Sequence, residues 1–111
     1  MDECVFCKIV AGAIPASVVA EGERWLAFSD LDPKAPVHVL VVPRVHLADI
    51  GELGSDPEAA AAVVAGIGAV AGELRLTAYR TVFNTGAAAG QSVFHVHAHV
   101  LSGGELGWPA G

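Results

Sequence analysis

Positive charge is scarce in this chain: Lys and Arg number 6 against 12 Asp and Glu, a formal net charge of −6. Binding to duplex nucleic acid needs a basic face that neutralises phosphates, so nucleic acid is not an expected partner. A small phosphorylated ligand stays compatible if neutral donors and backbone amides hold it. Cysteine is nearly absent too, with 2 in 111 residues, too few for a disulfide framework. The uncharged, Ala- and Gly-rich stretch over residues 59–72 falls short of the ~20 apolar residues that span a bilayer. Met1-Asp2-Glu3-Cys4 lacks the basic leader of a secretory signal. These absences predict a cytoplasmic protein with no membrane association.

Apolar residues are plentiful: 53% of the chain is hydrophobic and only 16% charged. A chain of 111 residues fits one domain, over 1–111. Its interior is too small to hide so much apolar surface, which predicts a homo-oligomer. Asp2 is positioned to cap a short helix over 4–11, stopped by Gly12 and Pro15. Residues 17–20 and 25–29 read as strands joined by the turn Glu21-Gly22-Glu23. Residues 37–42 are apolar at nearly every position, the pattern of a strand covered on both faces. Asp56-Pro57-Glu58 opens a helix that runs to about Leu74, with Val63, Ile67, Val70 and Leu74 on one stripe. Its other faces carry Ala and Gly, so it is expected to pack on its own sheet and on a second subunit. Residues 79–84 and 94–101 complete a strand–strand–strand–helix–strand–strand order, an α+β domain around an antiparallel sheet.

The sharpest feature is Phe94-His95-Val96-His97-Ala98-His99-Val100-Leu101. Side chains alternate along a strand, so His95, His97 and His99 should share one face while Phe94, Val96, Ala98 and Val100 enter the core. Three imidazoles on one strand face are hard to explain as packing. They suit metal ligation, or an arrangement in which one imidazole attacks phosphorus while its neighbours hold phosphate oxygens. Just upstream, Gly90-Gln91-Ser92 can be a plain turn or a loop whose amides and hydroxyl cradle phosphate. Cys4 and Cys7, with two residues between them, can grip a metal from a helix's first turn. A redox pair or two reduced, partly buried thiols are the other readings.

Assembled in order, these residues resemble the histidine triad (HIT) family, above all its Hint branch of purine nucleoside phosphoramidases. The likeness runs through Ile14-Pro15-Ala16, Leu26-Ala27-Phe28 with Asp30, and Ala35-Pro36-Val37-His38. It continues through Val42-Pro43-Arg44-Val45-His46, Asn84-Thr85-Gly86, the stretch from Gly90 to Leu101, and Trp108-Pro109-Ala110-Gly111. The resemblance implies a HIT-like fold: an antiparallel sheet of about five strands, one long helix and a short N-terminal helix. It also implies hydrolysis of the P–N bond of a purine nucleoside 5′-phosphoramidate through a nucleotidyl intermediate on His97. His99 and His38 would flank the phosphate, His95 would orient the nucleophile, and Ser92 would sit near the leaving group with Gln91 beside it.

By the same resemblance, Asn84, Gly90 and Val93 would lie along the nucleotide, Asp30 would hold the ribose hydroxyls, and Ile14, Phe28 and Leu31 would form the purine slot. Asp30 as a turn cap and the apolar trio as ordinary core are the alternatives. His46 and His95 would join Cys4 and Cys7 around a structural Zn²⁺, with no cofactor needed for catalysis. A homodimer would form through the long helix and a neighbouring strand, with Trp108 reaching toward the partner's site. Ser29 stands where the best-known animal members carry histidine, and the tail reads Trp-Pro-Ala-Gly rather than Trp-Pro-Pro-Gly. Competing functions are dinucleoside polyphosphate hydrolysis of the Fhit type, a non-catalytic nucleotide- or zinc-binding module, and a metallohydrolase built on the histidine strand.

Overall fold

A computed structural model of the chain describes residues 3–106. Asp2 and the tail from 107 to 111, with Trp108, lie outside the described residues. The elements are α1 (Val5–Val10), β1 (Val18–Glu21), β2 (Trp25–Ser29), β3 (Val37–Pro43), α2 (Ile50–Gly54), α3 (Pro57–Glu73), β4 (Arg80–Val82) and β5 (Ala98–Ser102). The five strands form one antiparallel sheet in the order β1-β2-β3-β5-β4. This is the α+β, HIT-like architecture expected from the sequence. No helix among the described residues is long and apolar enough to cross a membrane.

The central strand β3 is buried along nearly its whole length, because the sheet is covered on both faces. Val39 and Val41 face α3 with Ala27, Ala98 and Val100, while Leu40 and Val42 face α1 with Phe6, Leu26 and Phe28. Helix α3 begins as the sequence predicts, with Asp56 accepting from the Ala59 amide (3.1 Å) and Pro57 in the first turn. Arg75 then takes a left-handed conformation (φ 55°), which closes the helix end through Leu76 N–H to the Ala71 carbonyl.

The predicted α3 stripe holds at Val63, Ile67 and Val70, which pack on the core, and fails at its last member. Val63 and Val70 are fully buried, contributing roughly 1.5–3 kcal/mol each. Leu74, however, is 38% exposed, and the buried face is completed by Ala59, Ala62, Gly66 and Ala71. The small side chains let the helix lie close to the sheet. A Cβ on Gly66 would meet the Trp25 ring and Val41 at 2.8 Å.

Three other expectations shift. Cys4 stands at the N-cap of α1, its sulfur accepting from the Cys7 amide (3.4 Å). The short helix α2 was not anticipated; Asp49 caps it through the Glu52 amide (3.0 Å). The strand expected over 94–101 begins only at Ala98, so His99 alone of the three histidines is in the regular ladder. Residues 93–97 run outside the strand ladder, with a bend at 93–95, and Val96 N–H donates to the Leu47 carbonyl at 2.7 Å. Strict alternation therefore fails at one end: Val96, Ala98 and Val100 are in the core, but Phe94 is 49% exposed.

Candidate active site

Two imidazole clusters lie on the α1 face of the sheet. The first gathers Cys4 and Cys7 from the start of α1, His46 from the segment after β3, and His95. Cys7 Sγ stands 3.3 Å from His46 Nδ1 and 3.5 Å from His95 Nδ1, and Cys4 Sγ stands 3.5 Å from His95 Nδ1. The four ligand atoms lie within 4.8 Å of one another, close enough to bind one metal ion. With metal–sulfur and metal–nitrogen bonds of about 2.3 and 2.0–2.1 Å, a tetrahedral site has an S···N edge of roughly 3.5 Å, which these distances match. His95 Nε2–H donates to the Pro43 carbonyl (2.9 Å), fixing the tautomer that turns the Nδ1 lone pair to the thiols. His95 is fully buried, and burial pushes its pKa down, as a neutral ligand requires.

The second cluster holds His38 on β3, His99 on β5 and His97 just before β5. His97 Nδ1–H donates to the His95 carbonyl (3.0 Å), so the lone pair is on Nε2. Phe6 packs edge-on against the His97 ring, with centroids 5.1 Å apart and planes at 89°. Burial holds the His97 pKa below its ordinary value, which keeps Nε2 unprotonated at neutral pH. Pairing of Leu40 with His99 in the β3–β5 register puts His38 and His99 on the same face. Lys34 N–H donates to His38 Nδ1 (2.9 Å), and the proton left on Nε2 points to His99 Nδ1 (2.8 Å). His99 must then carry its own proton on Nε2, ready to donate to a ligand. Burial, with His97 and His38 nearby, pushes the His99 pKa down to about 4, and burial lowers that of His38.

Asp30 Oδ2 lies 3.4 Å from His38 Nε2, and Asp30, His38 and His99 are also close enough to share an ion. The backbone donor from Lys34 opposes that use, because it leaves His38 Nε2 protonated. The arrangement is a proton-bearing relay.

A cleft of about 290 Å³ opens over His97 and His99, lined also by Val5, Phe6, Ile9, Pro15, Ala16, Ser17, Phe28, Ser29, Asp30, Leu31, Leu40, Ser92 and Val93. Among the described residues its lining includes no Lys or Arg, so an anion there relies on imidazole N–H, hydroxyl and backbone donors. Of the purine-slot residues predicted from sequence, Phe28 and Leu31 line the cleft and Ile14 does not. Phe28 is 4% exposed and Leu31 98%, so one is a floor and the other an unpacked flap. Phe6 and Ile9 were missed; their three-residue spacing on α1 was the available signal. Asp30 realises part of its bland alternative, since Oδ1 caps a turn through the Asp32 amide (2.8 Å), yet it also borders the cleft.

The buried Gln91 side chain accepts from Gly86 N–H (3.0 Å) and donates to the Ala48 (2.7 Å) and Val93 (3.1 Å) carbonyls, so beside Ser92 it braces the loop and does not line the cleft. Asn84 likewise donates to the Ala89 carbonyl (2.9 Å) and borders the loop, not the cleft. Gly90 turns the chain with φ 93°, a conformation open to glycine at little cost, and thereby presents the exposed Ser92 at the cleft.

The geometry has counterparts elsewhere. The HIT domain family model matches residues 11–106. An uncharacterised HIT-like protein of Synechococcus elongatus is 42% identical over 112 residues, spanning 99% of this chain and 98% of its own. A solved HIT family hydrolase from Legionella pneumophila matches with a TM-score of 0.89 at 41% identity, over 98% of this chain and all of that one. A histidine triad nucleotide-binding protein from Candida albicans matches at 0.84 and 29%, over 98% and 85%.

Proposed function

This chain belongs to the HIT domain family, and from that membership we propose that it is a Hint-type hydrolase of purine nucleoside 5′-phosphoramidates, with His97 as the nucleophile. The observation that carries the reading is the hydrogen bond from His97 Nδ1–H to the His95 carbonyl, which leaves Nε2 as a lone pair at an otherwise cation-free cleft.

Nε2 of His97 attacks the α-phosphorus. A P–N bond is made to the ring while the P–N bond to the amine breaks; the amine leaves with the Ser92 hydroxyl proton, which the water of the second step restores as it attacks phosphorus. Water then cleaves the nucleotidyl-histidine, releasing the nucleoside monophosphate and regenerating the neutral ring. His99 Nε2–H donates to a phosphate oxygen, and His38 holds His99 in the tautomer that can do so. Asp30 keeps one carboxylate oxygen for the ribose, and Phe6, Ile9, Phe28 and Leu31 enclose the base. Asn84, Gly90, Gln91 and Val93 shape the phosphate loop. The names of relatives agree at the coarse level, one a hydrolase and one nucleotide-binding.

Cys4, Cys7, His46 and His95 fit a structural Zn²⁺, on the strength of their soft donor set, their spacing and the fixed His95 tautomer. Bound there, the ion would supply cross-linking of α1 to the sheet. The outer face of α3, with Ala61, Val64, Ala65 and Gly68 exposed, is the surface for a homodimer.

The test is turnover of adenosine 5′-monophosphoramidate, followed as release of ammonia and AMP. Wild type should turn it over and His97→Ala should not; equal rates, or none from wild type, would remove the proposal.

A further inference from the structure

A second hollow, of about 280 Å³, adjoins the phosphate end of the cleft. The two share Val5, Ser92 and Val93, and the second is completed by Glu3, Cys4 and Phe94. The base slot occupies the other end of the cleft, around Phe28 and Ile9. In-line displacement sends the departing group away from His97. The route that does not run back over the base crosses Ser92 into this hollow.

Its lining is chemically selective. Phe94 is 49% exposed where alternation along the histidine run would bury it, so an aromatic face is presented to whatever enters. Glu3, also exposed, lines the same hollow, and no basic side chain among the described residues pairs with it. A carboxylate and an aromatic ring lining one hollow favour a cation, through charge and through the ring quadrupole. A carboxylate-bearing group would meet repulsion from Glu3 and from a chain of net charge −6.

We propose that this hollow is a leaving-group subsite for amines that carry a second positive charge on a short alkyl chain, with Glu3 and Phe94 as its specificity-determining residues. The inference rests on the phosphoramidate reading above. In the reaction the P–N bond to one amine nitrogen breaks, while the distal ammonium stays by Glu3 and the Phe94 ring until release.

The experiment compares kcat/KM for four AMP conjugates: the unsubstituted phosphoramidate and those of 1,4-diaminobutane, butylamine and 4-aminobutanoate. Wild type should prefer the diamine to the butylamine conjugate by about five- to tenfold, with 4-aminobutanoate the poorest. Glu3→Gln and Phe94→Ala should each pull that preference below about twofold while leaving the unsubstituted compound within about twofold of wild type, which also shows that the variants fold. Turnover of all four without a preference for the diamine overturns the subsite alone. So does a preference that survives both substitutions, or an equal loss on every conjugate. No turnover of any conjugate by wild type overturns the phosphoramidate reading, and the subsite with it.

Discussion

His95 and His97 are two residues apart and sit in different surroundings, and the comparison of their clusters shows what each ring is placed to do. Each ring is oriented by a backbone carbonyl, but through opposite nitrogens. His95 gives its Nε2–H to Pro43, which turns Nδ1 toward two thiols. His97 gives its Nδ1–H to His95, which turns Nε2 into the cleft. One lone pair meets soft sulfur donors and suits a metal; the other meets an open, cation-free cavity and suits phosphorus. The carbonyl chosen, more than the residue type, decides the role. The clusters are also linked, because His95 belongs to the first and its carbonyl orients the second.

The largest way to break the comparison is at the nucleophile. His97→Ala should lower kcat/KM by about 10⁴-fold or more, because covalent catalysis has no substitute group here. Its metal content by elemental analysis should match wild type. Next is the relay. His38→Leu removes the donor that fixes His99, and a misplaced donor should cost about a hundredfold in kcat with unchanged metal content. Loss of metal together with activity would show that the clusters are not separable.

Cys7→Ser acts on the other cluster. Metal stoichiometry should fall below one per chain, and the melting temperature should drop by about 10–20 °C as α1 loosens from the sheet. The adduct-forming residue should remain His97.

The smallest effect is on pH dependence. Burial holds His99 at about 4 against an ordinary value near 6.5, so the unfolded chain takes up its proton first. The stability tied to neutral His99 is complete above pH ~6.5 and is lost as pH falls toward ~4, on the order of 1–3 kcal/mol. His99→Gln should flatten the fall in melting temperature across that window relative to wild type. A parallel slope would show that His99 is not held neutral by the fold.

Much of the fold was legible because its signals are local. Asp56-Pro57 begins α3 where the sequence places it, and the unbroken apolar run of β3 announces burial on both faces. The histidine alternation pointed to chemistry, and family resemblance brought His46 to Cys4, Cys7 and His95. What escaped depends on long-range partners. The Val96 amide goes to Leu47, and the histidine segment runs outside the strand ladder with Phe94 exposed. The Gln91 side chain is consumed by carbonyls and an amide that no local pattern reveals. The α3 face also takes in Ala and Gly because the Trp25 ring lies against Gly66, a contact between residues 41 positions apart.

The account's central claim is that His97 Nε2 bonds transiently to phosphorus, and intact-mass analysis after rapid quench with a nucleoside phosphoramidate tests it most directly. It predicts an increment of one nucleoside monophosphate on wild type, mapped to the peptide that holds His97 and absent from His97→Ala. An increment on any other residue, or turnover with no adduct under conditions that trap phosphohistidine, would contradict it.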